Sequence, residues 1–393
     1  MSNLPKGWEE VNFDNFFKTI SAKKYQIQKK DYLQKSIYPV IDQGQKFIIA
    51  YSNQSDKLLK NSSGLIIFGD HTRIIKFIDF DFIVGADGTQ ILDTKSNVDI
   101  KFAYYTLLFK EIVSLGYSRH FKIIKEFNYL VPPLEEQKKI ADILSTVDKK
   151  IAFVEENINA TEELKKGLMQ KLLTEGIGHT EFKDSGLSIV YELKKIPQDW
   201  NLEKLNFLAN KITDGAHFTP TYVSEGIPFL RVTDLKSKDI LNSDIKFIPE
   251  SEHIELIKRC KPEYGDILYS KNGTIGLTRL VDWEWEFSIF VSLCLIKPKI
   301  EIIDKNYLKY YLESNMVLNQ IRIRSKQGTV TNLHLEEIRD FFVTIPPLAE
   351  QKQIAEILST VDKKLENLKE KKLFFEELKK GLMQKLLTGK VRV

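Results

Sequence analysis

The side chains best suited to catalysis are the six histidines, because imidazole ligates metals and exchanges a proton near neutral pH. No two of them stand at the spacing of a metal-binding helix, and no Ser/His/Asp or Cys/His arrangement stands out. The histidines are scattered along the chain at His71, His120, His179, His217, His253 and His334. We therefore expect neither a metal site nor a general base.

Two kinds of cofactor loop are also missing. No Gly-x4-Gly-Lys-Ser/Thr run exists to cradle the phosphates of ATP. A DNA adenine methyltransferase needs a glycine-bearing strand-to-helix turn and an Asp/Asn-Pro-Pro-aromatic loop. Here the two Pro-Pro pairs follow Val131 and Ile345 and precede Leu134 and Leu348. The sequence therefore predicts a protein that binds no cofactor and has no chemistry of its own.

What the sequence does contain is a long internal repeat, the feature that most constrains architecture. Residues 132–174 return as residues 346–388, 214 positions later, without a gap and with about 30 of the 43 positions identical. With two copies instead of many, the chain is not a solenoid. It imitates a symmetric dimer.

Each copy predicts one helix of about 40 residues, with Pro133 or Pro347 at its start and Gly176 or Gly389 after its end. Apolar positions alternate at steps of four and three, the 3.5-residue period of paired helices. The first seam is Ile140, Leu144, Val147, Ile151, Val154, Ile158, Thr161, Lys165, Leu168 and Leu172. The second is Ile354, Leu358, Val361, Leu365, Leu368, Lys372, Phe375, Lys379, Leu382 and Leu386. Lysines in the seams should weaken them locally and help to fix their register.

Gly167 and Gly381 occupy equivalent places inside the two helices, where glycine costs up to about 1 kcal/mol relative to alanine. A tolerated flaw is one interpretation. Because the glycine recurs at one position, we favour a close backbone approach, either by the partner helix or by a bound protein.

Globular segments precede both helices, and each begins with a similar run, Leu4–Trp8 and Ile196–Trp200. Each segment has 120 to 150 residues, enough for its own core. The predicted divisions are a first domain, a helix, a linker, a second domain and a second helix, at residues 1–131, 132–176, 177–195, 196–345 and 346–393.

Short strand patterns alternate with turn signals inside both domains. Residues 64–68 and 74–78 flank a turn, and residues 265–270 precede Asn272-Gly273, a dipeptide suited to hairpins because both residues accept positive φ. Residues 289–296 are predicted to form one buried strand. Residues 104–108 and 307–312 are predicted to form short helices. The two domains share this order but little sequence.

Composition places the chain among intracellular globular proteins. A net charge of +4 permits an anionic partner without requiring one. The two cysteines, Cys260 and Cys294, suggest no disulfide framework or zinc site. No apolar run approaches the length of a membrane span and no signal peptide is evident, so we expect a cytoplasmic protein without membrane contact.

These motifs resemble the specificity subunits of type I restriction–modification enzymes, over nearly the whole chain. The resemblance rests on Pro-Pro-Leu-x-Glu-Gln, Leu-x-x-Val-Asp and Gly-Leu-Met-Gln-Lys-Leu-Leu, each present in both helices, on Ile-Pro-x-x-Trp, and on Phe-Gly-Asp-His-Thr-Arg. These motifs begin at Pro132 and Pro346, Leu144 and Leu358, Gly167 and Gly381, Ile196, and Phe68.

The resemblance implies an α+β fold with two mixed α/β target-recognition domains separated by two long antiparallel coiled-coil helices, a pseudo-twofold internal repeat. It implies a non-catalytic subunit that binds a bipartite double-stranded DNA target. Its partners would be two methyltransferase subunits, docked on the outer helix faces, and ATP-driven restriction subunits. S-adenosylmethionine, ATP and Mg²⁺ would be bound by those partners.

Candidate DNA contacts follow from this resemblance, because Arg and Lys can pair with guanine or phosphate, and Asn and Gln with adenine. In the first domain we favour the loop at 69–73 and the segment at 118–122, with Asp70, His71, Thr72, Arg73, Arg119, His120 and Lys122. In the second we favour the loop at 271–274 and the run at 322–332, with Lys271, Asn272, Thr274, Arg322, Arg324, Lys326, Gln327, Thr329 and Asn332. His120 and His334 share the 214-residue offset, so the segments around them should occupy equivalent places. The alternative is that Asp70 and Asn272 only form turns and that the cations are solvated.

Two other function classes remain open at this point. A self-sufficient nuclease or methyltransferase is opposed by the missing cofactor loops. A scaffold whose paired domains bind only proteins is not excluded by the sequence.

Overall fold

The computed structural model describes residues 4–85, 87–114, 116, 118–187, 193–237, 239–242, 244–324 and 332–393, with Arg324 described in its backbone alone. The chain divides into two compact units. Unit 1 contains residues Met1–Asn157 and Leu368–Val393, and unit 2 contains Ile158–Asn367. Each unit therefore holds one globular domain with one half of each long helix.

The described residues of the first globular segment and of the helix that follows it form nine strands and four α-helices, besides three short 3-10 helices. Its strands are β1 (Glu9–Val11), β2 (Phe17–Ile20), β3 (Tyr38–Ile41), β4 (Ala50–Ser52), β5 (Leu65–Gly69), β6 (Ile75–Ile78), β7 (Ile83–Val84), β8 (Thr89–Thr94) and β9 (Tyr129–Val131). Its helices are α1 (Phe13–Phe16), α2 (Ile100–Phe109), α3 (Phe121–Lys125) and the long α4 (Leu134–Thr174).

The rest of the chain repeats this order with small additions. Its strands are β10 (Phe182–Asp184), β11 (Lys195–Pro197), β12 (Asn201–Lys204), β13 (Ala209–Asp214), β14 (Ile227–Leu230), β15 (Lys246–Ile248), β16 (Ile267–Ser270), β17 (Thr278–Leu280), β18 (Ser288–Ile289), β19 (Leu293–Pro298) and β20 (Phe342–Ile345). Its helices are α5 (Leu205–Leu208), α6 (Glu250–Arg259), α7 (Lys305–Leu312), α8 (Asn315–Arg324), α9 (Leu335–Arg339) and the long α10 (Leu348–Leu386).

The two domains have matching sheets. Unit 1 has a four-stranded sheet in the order β2-β8-β5-β6, a three-stranded sheet β4-β3-β7 and a pair β1-β9. Unit 2 has the same three in the orders β13-β19-β16-β17, β15-β14-β18 and β12-β20, and adds the pair β10-β11. In both three-stranded sheets the short last strand, β7 or β18, is parallel to the central one. One scaffold is thus built twice from dissimilar sequences.

Two predictions about unit 2 strands are wrong in detail. The apolar run at 289–296 is split between β18 and β19, which belong to different sheets. An unbroken apolar run therefore does not indicate where the chain passes from one sheet to the other. Strands β16 and β17 do pair antiparallel, but the connection spans 271–277 instead of a two-residue turn. Gly273 has the expected positive φ of 71°, whereas Asn272 does not and instead forms a bridge with Asn332. The predicted strands on either side of residues 69–73 and both predicted short helices are confirmed.

Both long helices begin immediately after their prolines, whose carbonyls accept the first backbone bonds of the helix. In unit 1, Glu155 contacts Lys372 and Asp148 contacts Lys379, so the two helix halves run in opposite directions. The fold is therefore α+β, with two mixed domains and two long helices that are antiparallel within each unit, as predicted. None of the described helices combines enough length and apolarity to cross a bilayer.

Each domain core is completed by both helices. In unit 1, Ile140 and Leu144 of α4 and Leu386 of α10 join the buried cluster around Phe16 and Phe102. In unit 2, Leu172 of α4 and Ile354 and Leu358 of α10 join the cluster around Trp200 and Tyr307. Burial of such a side chain contributes roughly 1.5–3 kcal/mol, so domain and helix ends stabilise one another.

Candidate nucleic-acid interface

In unit 1 the predicted loop after β5 is tied to the segment that precedes α3. Asp70 is 3% exposed, and its Oδ1 accepts the Phe121 N–H at 2.8 Å. Its carbonyl accepts the His120 N–H at 2.8 Å, and the fully buried His120 places Nδ1 2.9 Å from the same carbonyl. A structural role accounts for the positions of Asp70 and His120, so their predicted DNA contact is less favoured than that of exposed neighbours.

Gln43, after β3, organises the rest of this loop. Its side-chain Oε1 accepts the His71 N–H at 3.0 Å, and its carbonyl accepts the Thr72 hydroxyl at 2.5 Å. Its Nε2 donates to the Asp87 carbonyl at 2.7 Å. Three loops, near residues 43, 71 and 87, are thus joined through one amide that the sequence analysis did not single out.

The three cations of unit 1 that were predicted to contact DNA lie at the surface. Arg73 adopts a left-handed backbone, with φ of 63°, and its Nη1 donates to the Ile112 carbonyl at 3.0 Å. Arg119 and Lys122 are exposed. The side chains of these three residues are accessible to a nucleic acid as the fold stands. Their contact with DNA stays a prediction.

In unit 2, Lys271 occupies the place that Asp70 has in unit 1. It follows β16, and its carbonyl accepts the Leu333 N–H at 2.8 Å, just before α9. His334 caps α9 much as His120 precedes α3, so the two segments do occupy equivalent places. The Lys271 side chain is 8% exposed, and its Nζ lies 3.3 Å from Asp214 Oδ2.

Asp214 is a buried carboxylate contacted by the side chains of Lys271, His217 and Arg259. His217 Nε2 lies 2.9 Å from its Oδ1, and Arg259 Nη1 donates to the same oxygen at 3.0 Å. Burial by itself would raise the pKa of Asp214, but the bonds from His217, Arg259 and Lys271 outweigh it and hold that pKa below its usual range. The carboxylate therefore stays ionised and holds these three side chains in place.

The other predicted contacts of unit 2 are more accessible. Thr274 and Asn332 are exposed, and Asn332 forms its bridge with the half-buried Asn272. Arg322 is exposed and donates to Asn319 Oδ1 at 3.3 Å. The side chain of Arg324 and the residues Lys326, Gln327 and Thr329 lie outside the described residues.

Where the domains meet the helices, both units use one arrangement of Tyr, Asp and Lys. In unit 1, Tyr105 donates to Asp148 Oδ2 at 2.7 Å, and Lys379 lies 2.6 Å from Asp148 Oδ1. In unit 2, Tyr310 donates to Asp362 at 2.8 Å, and Lys165 lies 2.6 Å from that carboxylate. Lys165 and Lys379 of the seams therefore each pair with an aspartate of the other helix, and that aspartate also binds a tyrosine of the domain. These pairs give a physical basis to the prediction that the seam lysines help to fix the register of the two helices.

A second recurring contact involves a glutamate in the first turn of each helix. In unit 1, Glu136 accepts two bonds from Arg392, at 2.7 and 2.8 Å, and one from Trp8 Nε1 at 3.3 Å. In unit 2, Glu350 accepts from Trp200 Nε1 at 3.0 Å and lies 2.9 Å from His179 Nε2. Arg392, which follows α10, is thereby bound to the start of α4. His179, which follows α4, is bound to the start of α10.

His179, Asp199 and Glu350 also have the composition of a metal site. However, the two ring nitrogens of His179 face different carboxylates, with Nε2 on Glu350 and Nδ1 3.5 Å from Asp199. One ion cannot bind both nitrogens. Glu350 moreover accepts the Ile177 N–H at 2.9 Å, and Arg392 holds the corresponding place in unit 1. Hydrogen bonding accounts for the group, and we assign no metal to it.

Comparison with known proteins decides the family. The model of the type I restriction modification DNA specificity domain matches residues 5–163 and 197–374. The chain belongs to this family. The type I restriction enzyme MjaVIII specificity subunit of Methanocaldococcus jannaschii is 27% identical, over 99% of this chain and 94% of that one. The EcoBI specificity subunit of Escherichia coli is 26% identical, over 57% of this chain and 49% of its own length.

A solved structure shows the same fold. The type I restriction–modification S subunit from M. genitalium superposes with a TM-score of 0.64 at 18% identity, over 98% of this chain and 97% of that one. At that identity the similarity concerns the fold. This type I specificity subunit therefore shares its two-domain, two-helix architecture with a known S subunit.

The repeated helix glycines of this specificity subunit face open space. A Cβ added to Gly167 or Gly381 would meet no described atom within 4 Å. A close approach by the partner helix is therefore wrong, and two interpretations remain, a tolerated flaw and contact with a bound protein. Leu164 and Leu378, three residues before each glycine, are also equivalent and are 50% and 38% exposed.

Sequence reasoning missed three polar residues near the predicted loops: Gln43, His217 and Arg259. His217 stood only among the scattered histidines, and Arg259 lies 45 residues from Asp214 along the chain. His217 is only three residues from Asp214, whereas Arg259 meets Asp214 only because the fold brings the end of α6 to the end of β13.

Proposed function

We propose that this specificity subunit binds a bipartite double-stranded DNA target, with one half-site contacted by each unit. The observation that carries the proposal is the repeated scaffold with unlike exposed side chains at equivalent loops, such as Arg73 after β5 and Thr274 after β16. Because shape and element order are kept while the loop chemistry differs, each unit is suited to a different base sequence. The spacer between the half-sites would depend on the two helices.

We also propose that two methyltransferase subunits dock on the helices. Support comes from the equivalent exposed pairs Leu164 with Gly167 and Leu378 with Gly381, one pair in each unit. An exposed leucine beside a glycine that costs about 1 kcal/mol in a free helix is suited to close contact with another protein. Restriction subunits would join the same complex.

In this proposal the chain alone is non-catalytic. S-adenosylmethionine, ATP and Mg²⁺ would bind to the partner subunits, in keeping with the missing cofactor loops. DNA methylation by the purified chain without partners would contradict this part of the proposal.

The decisive experiment exchanges residues 1–131 for the corresponding segment of a related specificity subunit. The methylated sites of a host carrying each version are then sequenced. One half of the recognised sequence should change while the other half is retained. A protein-only scaffold, the competing function, predicts that the methylated sequence stays the same.

A second experiment addresses the spacer. Deleting one helical turn from both α4 and α10 shortens each by about 5.4 Å. Since DNA rises about 3.4 Å per base pair along a strand, the spacer should shorten by roughly one or two base pairs while both half-sites are kept. Unaltered methylation spacing would show that the helices do not set it.

Docking can be tested at the helix glycines. Replacing Gly167 and Gly381 together by phenylalanine should prevent assembly with methyltransferase subunits, because the added rings occupy the space that a partner needs. The matched control replaces the exposed neighbours Lys166 and Lys380 by phenylalanine. Equal assembly of both variants, measured by analytical ultracentrifugation, would locate the docking surface elsewhere.

A further inference from the structure

A charged cluster beside the predicted loop of unit 2 was not assigned from the sequence. At its centre is Asp214, which is 2% exposed and is contacted by Lys271, His217 and Arg259. Lys271 is buried with it, whereas the side chains of His217 and Arg259 are 63% and 51% exposed. A buried carboxylate thus holds two exposed nitrogen-bearing side chains at the surface.

Arg259 is fixed in advance by its backbone contacts. Besides the bond to Asp214 Oδ1, its Nη2 donates to the Asp214 carbonyl at 2.8 Å and to the Gly215 carbonyl. Gly215 itself passes so close to Ile289 that a Cβ would collide with the Ile289 carbonyl. The guanidinium is therefore anchored on rigid backbone, which reduces the side-chain entropy lost when a ligand binds.

The charge of the cluster favours an anion. Lys271 offsets the charge of Asp214, so Arg259 supplies an unbalanced positive charge even when His217 is neutral. A guanidinium has five N–H donors, and the three bonds of Arg259 to Asp214 and Gly215 leave two of them for a phosphate oxygen. The cluster also adjoins the loop that contains Asn272 and Thr274, because Lys271 begins that loop.

We propose that Arg259 and His217 bind a backbone phosphate of DNA beside the half-site contacted by unit 2. This inference rests on the proposed function and adds a contact that the sequence analysis did not include. Phosphate contacts fix the register of a protein on the duplex without reading the bases. In unit 1 the corresponding strand β2 ends at Ile20, and Ser21 stands at the place of Asp214, so the acid has no counterpart there.

The test measures DNA affinity of the assembled complex with methyltransferase subunits over a range of salt concentrations. It uses a duplex with the recognised sequence and one without it. Each neutralised phosphate contributes about 0.9 to the slope of log affinity against log salt. Arg259→Gln should therefore make this negative slope shallower by about one. It should weaken binding to both duplexes by the same factor.

The matched control is Lys258→Gln, which removes the same charge from the adjacent exposed residue of α6, where Lys258 pairs with Glu255. It should leave the slope unchanged. Arg259→Lys should restore most of the slope, because it keeps the charge. His217→Gln leaves the Gly215 contacts intact and should weaken both duplexes by a smaller factor, so the test does not depend on one variant that could misfold.

Equal slopes for Arg259→Gln and Lys258→Gln would overturn the inference, as would a loss confined to the recognised duplex. Failure of the proposed function would look different. In that case the wild-type complex would not distinguish the two duplexes at all, while the slope change caused by Arg259→Gln on either duplex would still support a phosphate site.

Discussion

Asp70 in unit 1 and Lys271 in unit 2 each come directly after a strand, at the same place in one scaffold, but carry opposite charges. The backbone carbonyl of each accepts an N–H from the segment before a short helix, that of His120 or that of Leu333, at 2.8 Å in each case. Asp70 then uses its carboxylate to accept a backbone N–H, whereas Lys271 needs a second buried charge, Asp214. The backbone contact is shared because it holds the same two segments together in both domains. The side chain can differ because each unit provides its own partner for it, the Phe121 N–H for Asp70 and the Asp214 carboxylate for Lys271.

The largest expected effect comes from removing the acid in unit 2. Asp214→Ala leaves Lys271 buried without its carboxylate, and breaking a buried pair in this way costs about 3–5 kcal/mol. Hydrogen exchange should show lost protection in β16 and β19, with unit 1 as an internal reference. A loss below about 1 kcal/mol would mean that the buried lysine finds another partner and that the contrast between the units is weak.

The Tyr, Asp and Lys arrangement should behave alike in both units. Asp148→Asn and Asp362→Asn each weaken a charge-assisted contact and a tyrosine hydrogen bond, so each should reduce local stability by about 1.5–3 kcal/mol. Hydrogen exchange of α2 and of α7 measures the two losses separately. The control is Asp142→Asn, an exposed position on α4. Clearly unequal losses of stability in the two variants would show that the two arrangements share a geometry but contribute different free energies.

A smaller effect is expected at Asp70. Asp70→Ala removes the acceptor for the N–H of Phe121 at the start of α3 and should cost about 0.5–2 kcal/mol, as for other helix-capping residues. Asp70→Asn keeps an acceptor oxygen and should cost less. Thermal unfolding of the two variants distinguishes them. Equal losses would indicate that the charge of Asp70 matters, as the charge of Asp214 does.

The smallest effect concerns pH. The pKa of Asp214 is lowered in the fold, so its stabilising contribution is present above the ordinary pKa of an aspartate and is lost as pH falls through the lowered value. The stability difference between wild type and Asp214→Asn should therefore shrink on acidification below about pH 4. A constant difference across that range would contradict the lowered pKa.

Much of the architecture could be predicted from the chain alone. The 3.5-residue period of the apolar positions predicted both long helices. The helices begin and end within a few residues of the prolines and glycines that were used to predict their ends. Local alternation predicted the paired strands on either side of residues 69–73. The break between β18 and β19 was missed, because both strands are buried and a change of sheet leaves no mark on hydrophobicity.

The candidate interface was less accessible to such reasoning. Loop position identified Arg73 and Thr274 as exposed polar residues, but it also selected Asp70, His120 and Lys271, whose side chains the fold buries. Residue type cannot separate these cases, because a buried polar group is decided by partners distant in sequence.

The sequence by itself determined that two equivalent helices, with one lysine in the first seam and two in the second, follow two domains of similar element order. Helix period and turn chemistry are local properties, so they are written in neighbouring residues. Only the tertiary structure decided that Lys165 pairs with Asp362, that Lys379 pairs with Asp148, and that Arg259 is held at the surface by Asp214. Such pairings join residues far apart along the chain, and their energy depends on distances and burial that exist only after the chain has folded.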